Sequence, residues 1–169
     1  HTINDWTDQE LYVADERHLF NMKHPLRGED ERKQVVEAGK AGGKEEIGSL
    51  HKPQDEESRS LRVEGDASGA GGREKMLHVV MRLYHSGDLD LPTLFRALSL
   101  NPAKRLGLDC GRLAKGAPAD LVLFDPDKPI VLDRFKLLSK SKNTPFDGAR
   151  LQGKVIETFV SGNSVHRST

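Results

Sequence analysis

Seven histidines and one cysteine are the side chains best suited to metal or nucleophilic chemistry in this sequence. Spacing decides what they can do, because a metal needs ligands that converge. None of the histidines forms HxH or HExxH, and none pairs with the cysteine. His78 and His85 lie seven residues apart in one helical stretch, which predicts half-exposed helix positions rather than ligands. His18 and His24 flank an extended stretch without an evident partner, and His166 sits near the end of the chain in a solvated position. His51, in LHKPQDEE, lies beside acidic residues and is a candidate for proton transfer. Cys110 alone supports neither a disulfide nor a thiolate zinc site, and it reads as a small buried apolar residue in a reducing compartment. Asp55, Glu56 and Glu57 form an acidic run whose consecutive side chains diverge. Gly69, Gly71 and Gly72 form a glycine-rich turn before a helix, but match neither GxGxxG nor a Walker motif.

The elements that must hold these groups follow from the pattern. In 28–40, GEDERKQVVEAGK carries acids early and Lys40 late, which suits a short exposed helix and its dipole. HLFNMKHPLR before it reads as a short strand entering a loop, since Pro25 biases His24 toward extended geometry. Residues 41–75 are rich in glycine and charge and predict a long loop or disorder. Leu77, Val80, Met81 and Tyr84 fall at helical spacing, closed by Ser86-Gly87. Asp90 and Pro92 open a second helix, carrying Leu94, Phe95 and Leu98. Asn101-Pro102 reads as the cap and first residue of a third helix, ended by Gly107. Beyond residue 109 the period becomes that of strands: ADLVLFD and IVLD, separated by Pro126 and Pro129. Lys154–Val160 and Ser164–His166 then flank Gly162-Asn163, a hairpin signal.

Length and charge bound the possibilities. The chain has 169 residues, too few for a complete eight-fold β/α barrel of roughly 250. Lys and Arg number 26 and Asp and Glu 26, so the basic excess that drives nucleic-acid binding is missing. No run of about 18 apolar residues predicts a membrane span. HTINDWTDQE lacks the basic start and apolar stretch of a signal peptide, and it lacks an initiator Met, which points to a processed chain or a piece of a longer one. A cytoplasmic setting is expected.

Residues 92–166 are the most specific part. PTLFRALSLNPAKRLGL, GRLAKGAPADLVLFDPD and SKSKNTPFDGARLQGKVIETFVSGNSV resemble the C-terminal part of dihydroorotases, in the amidohydrolase superfamily. The first two phrases are shared with hydantoinases and allantoinases. SKSKNTPF with the following G.V..T.V.G is closer to dihydroorotase itself. Upstream, FNMKHPLRGEDER is similar to the family's seventh-strand segment, and LHKPQDEESRSL to the stretch after the eighth. GAGGREKML is similar to the glycine-containing turn that follows, with Gly72 and Glu74 in register, and TIND to the end of the sixth strand.

The resemblance implies an α/β fold: the incomplete C-terminal part of a TIM-type barrel over 1–108, its last three strand–helix units, then a small β-sandwich-like module over 109–169. It implies hydrolysis of the cyclic amide of dihydroorotate to carbamoyl aspartate, in pyrimidine synthesis. Zinc would polarise the carbonyl and activate water, and an Asp at the end of strand eight would act as base and acid. Here that Asp position falls on Leu50, which can do neither. Losing such a base costs about 10²–10⁴ in rate. The sixth-strand metal histidine falls on Asp5, an altered ligand. The substrate-contacting Asn falls on Lys23, and the His that holds the substrate carboxylate on Gln54. Arg27, His51 and Gly72 keep the family's residue type at substrate-binding positions. The HxH pair of the first strand and the carboxylated Lys or Asp of the fourth are expected outside this sequence. Two readings follow: a dihydroorotase-like enzyme portion, inactive alone, or a non-catalytic structural partner of aspartate carbamoyltransferase. A homo-oligomer is also compatible, and a decayed product without function is the bland third.

Overall fold

The computed structural model describes residues 28–41, 46–49, 51–52 and 73–168. The expected helix at 28–40 forms as α1, Glu29–Lys40, with Glu29, Asp30 and Glu31 in its first turn and Lys40 in its last. Its charges favour the helix dipole, and Val36 turns inward. Arg32 ties the helix down. Its Nε donates to Glu29 at 2.7 Å and a terminal nitrogen donates to Asp88 at 2.9 Å, beyond the next helix.

A short 3-10 turn, Arg73–Lys75, runs into α2, Met76–His85. The buried face of α2 is broader than the expected stripe. Val79 and Leu83 join Val80 and Met81 inside, while Leu77 and Tyr84 are only half-buried. The cause is contact on more than one side, since the helix packs on the sheet and also belongs to the core around Phe146 and Leu94. Gly87 closes it with φ +77°, as the Ser86-Gly87 signal implied.

Asp90 caps α3, Leu91–Phe95, its carboxylate accepting from Thr93 N–H at 2.8 Å. The chain does not then stop and restart at Asn101. It widens into a π-turn, Arg96–Leu100, and continues as α4, Asn101–Arg105. Leu100 and Asn101 keep helical dihedrals, so Asn101 is no cap. The proline explains the wide turn: Pro102 lacks an N–H, and in a regular helix its ring would strike the carbonyl of Leu98. Within that turn the carbonyl of Ala97 accepts from Ile47 N–H at 3.0 Å, which pins a buried apolar residue of the 46–49 stretch.

The β part is one antiparallel sheet in the order β1-β2-β3: Leu121–Val131, Arg150–Val160 and Asn163–Arg167. ADLVLFD and IVLD are thus two halves of a single strand. Pro126 and Pro129 are tolerated because β1 lies at the edge, and the register slips between Asp125 and Pro129. The hairpin turn is Ser161-Gly162, one residue earlier than the Gly162-Asn163 signal. Both have positive φ, +48° and +78°, the geometry that matches strand twist in a two-residue turn. A sandwich needs a second sheet, and among the described residues there is only this one. The barrel strands expected on residues 1–27 lie outside the described residues, as does most of the glycine-rich region. Among the described residues no helix is long and apolar enough to cross a membrane.

The turn gives a direct check. Gly162→Ala places a Cβ at positive φ and is expected to cost about 1 kcal/mol in urea denaturation. Ser161→Gly relieves the same strain and is expected to raise the midpoint slightly.

Candidate functional site

Two of the segments that carry the family resemblance meet in space. The turn Arg73–Lys75 leads out of the glycine-rich stretch, and the loop 137–149 carries SKSKNTPF. They are joined by the carboxylate of Glu74, which accepts from Ser139 N–H at 3.1 Å. The loop is built to be rigid. Thr144 Oγ1 accepts from Phe146 N–H at 3.1 Å, Ser141 donates to Asn143, and Lys142 caps the carbonyl of Leu137. Asn143, Thr144 and Phe146 are buried. Gly148 N–H and Ala149 N–H close the loop on Leu132 O at 2.8 Å and Phe146 O at 3.0 Å.

Lys75 is buried beneath this loop. Its Nζ lies 5.8 Å from the centroid of the Phe146 ring and has no hydrogen-bond partner among the described residues. Burial pulls its pKa from 10.5 to about 7, with Glu74 opposing the shift. Sequence reasoning missed this residue. The signal was present in the helical phase, since Lys75 precedes buried Val79 and Leu83 by four and eight residues.

His78 and His85, read from sequence as half-exposed helix positions, use their rings as donors to the sheet. His78 Nδ1 meets the carbonyl of Gly153 in β2, and His85 Nε2 that of Pro126 in β1, at 2.9 Å. A carbonyl can only accept, so these nitrogens carry the protons. Burial lowers the His78 pKa, and the bond to Gly153 opposes the shift. Cys110 is half-buried and exposed enough to depart from the expected core position.

Of the sequence-derived site residues, His51 is described and is half-buried. Asp5, Lys23, Arg27, Leu50, Gln54 and Gly72 lie outside the described residues. Among the described residues no three His, Cys, Asp or Glu side chains come together as metal ligands. The described residues do not fit a zinc ion by themselves.

The Amidohydrolase family model matches residues 58–165, the greater part of the chain. The chain belongs to the amidohydrolase family. Among curated relatives of this amidohydrolase chain, a dihydroorotase from Wolbachia sp. subsp. Drosophila simulans (strain wRi) is 36% identical over 165 residues, 98% of this chain and 37% of the relative. A dihydroorotase-like protein from Pseudomonas aeruginosa is 39% identical over 148 residues, 88% of this chain and 35% of the relative. The solved L-hydantoinase (dihydropyrimidinase) from Arthrobacter aurescens superposes with a TM-score of 0.85 at 26% identity, covering 98% of this chain and 38% of the hydantoinase. The chain therefore spans little more than a third of the length of the proteins it resembles.

The His78 contact has a pH signature. The folded chain holds His78 less readily protonated than the unfolded chain, whose value is 6.5. The unfolded state then binds more protons, and stability falls as pH drops below about 6.5. His78→Gln still offers an N–H but does not titrate. Its denaturation midpoint is expected to lose this part of the acid dependence, while an unchanged profile would contradict the assignment.

Proposed function

We propose that this chain is the C-terminal portion of a dihydroorotase-like amidohydrolase. In this reading residues 1–108 supply the last three strand–helix units of a TIM-type barrel, and residues 109–169 a small β module. The reaction is hydrolysis of the cyclic amide of dihydroorotate, in pyrimidine synthesis, in the cytoplasm. The observation that carries it is the match of 98% of the chain to a dihydroorotase, together with the Glu74–Ser139 contact that unites the two resembling segments.

The roles assigned to this chain are those of binding. Arg27, His51, Gly72, Lys23 and Gln54 occupy substrate-binding positions and Asp5 a ligand position, by resemblance. A zinc ion, were the complete protein to hold one with Asp5 among its ligands, would supply Lewis-acid chemistry. Leu50 at the position of the family's base leaves proton transfer without a group, so this portion is inactive alone.

A second reading is favoured by the same Leu50, with Lys23 and Gln54: a non-catalytic dihydroorotase-like protein serving as a structural partner of aspartate carbamoyltransferase, or as a homo-oligomer. One experiment separates the readings. The zinc-supplied chain is mixed with dihydroorotate, alone and with the complementary N-terminal two-thirds of the Wolbachia dihydroorotase, and carbamoyl aspartate is assayed. The enzyme-portion reading expects no turnover alone and, with the complement, turnover about 10²–10⁴-fold below that of the intact Wolbachia enzyme, since Leu50 supplies no base. Silence in both arms, with co-purification of aspartate carbamoyltransferase, supports the second reading, and turnover by the chain alone contradicts both.

A further inference from the structure

Lys75 is the buried charge-bearing group that the proposed activity does not use. Its residue is 2% exposed, and Nζ has no hydrogen-bond partner among the described residues. The obvious counterion is engaged elsewhere, because Glu74 directs Oε1 at the Ser139 N–H. Glu74 is also the charge that acts on the amine. The other titratable groups on these elements are Arg73 of the turn, His78, Arg82, Tyr84 and His85 of α2, Lys140, Lys142 and Asp147 of the loop, and Arg150, Lys154 and Glu157 of β2. The amine faces the ring of Phe146, and Phe146 with its loop neighbours Asn143 and Thr144 is buried.

An ammonium in such a place gives up its hydration and recovers only the face of one ring. A neutral amine gives up far less. We propose that Lys75 is a pH-sensitive latch for the 137–149 loop: the neutral amine lets the loop seat on the turn Arg73–Lys75, and the ammonium favours its release.

The sign follows from linkage. The seated form binds fewer protons than the released form, in which the amine regains its ordinary value of 10.5. Seating is therefore strengthened as pH rises from about 7 toward 10.5, by up to about tenfold per pH unit. That gain is lost as pH falls back to about 7, and the curve is flat below it.

Amide hydrogen exchange, corrected for the intrinsic effect of pH, tests the latch in the whole chain. The reporters are the N–H groups of Phe146, Gly148 and Ala149, with the β2–β3 hairpin as an internal control. In the native chain loop protection is expected to rise about tenfold per unit between pH 7.5 and 9.5. In Lys75→Met it is expected to be high and independent of pH, and in Lys75→Arg low at both ends. A flat profile in the native chain, the same slope in Lys75→Met, or an equal rise in the hairpin would overturn the proposal.

Discussion

The packing of α2 on β2 at Gly153 is the constraint on which the rest of the structure depends. Gly153 has φ +98°, a region that side chains with a Cβ rarely enter. A Cβ built there would lie 3.1 Å from Cγ of Met81, a fully buried side chain. The missing Cβ lets helix and strand approach. The same residue's carbonyl accepts the His78 ring N–H. One glycine thus supplies the space for the apolar contact and the acceptor for the polar one. The hydrogen bond matters because a buried imidazole N–H without an acceptor costs about 1–3 kcal/mol.

From this contact the order spreads in both directions. At the C-terminal end of α2, His85 reaches the bent edge strand at Pro126, and Asp88 anchors α1 through Arg32. At the N-terminal end, Glu74 and Lys75 meet the loop that carries SKSKNTPF. The helices and the sheet are therefore not two independent pieces joined by a linker. They share a core in which Val80, Leu94, Phe146 and Leu151 come from α2, α3, the loop and β2.

Much of this was legible in the sequence where a local chemical signal fixes geometry. Asp90 capping α3, Gly87 ending α2 and the charge order of α1 all follow from satisfying helix ends. The hairpin was legible to within one residue, because Ser161 takes the positive φ usually left to glycine or asparagine. The breaks drawn at Pro102, Pro126 and Pro129 were not breaks. A π-turn absorbs the first, and an edge strand tolerates the others, since its outer N–H groups need no sheet partner. Lys75 and His78 were opaque for a different reason. Charge and polarity suggested the surface for both, although Lys75 lies in helical phase with buried Val79 and Leu83, and the half-burial of His78 depends on its contact with β2. Of the candidate site, resemblance assigned positions, but the described geometry reaches only His51 among them.

Family membership and catalytic competence are separate matters here. The chain shares its fold with proteins more than twice its length and covers little more than a third of them. What the chain does contain is a docked helix–sheet unit organised by one close approach. The most direct measurement of that claim is the denaturation midpoint of Gly153→Ala. The account predicts a loss of at least about 2 kcal/mol, the strain of positive φ plus the displacement of Met81 and the His78 bond. A change within about 0.5 kcal/mol, the range of an ordinary surface substitution, would contradict it.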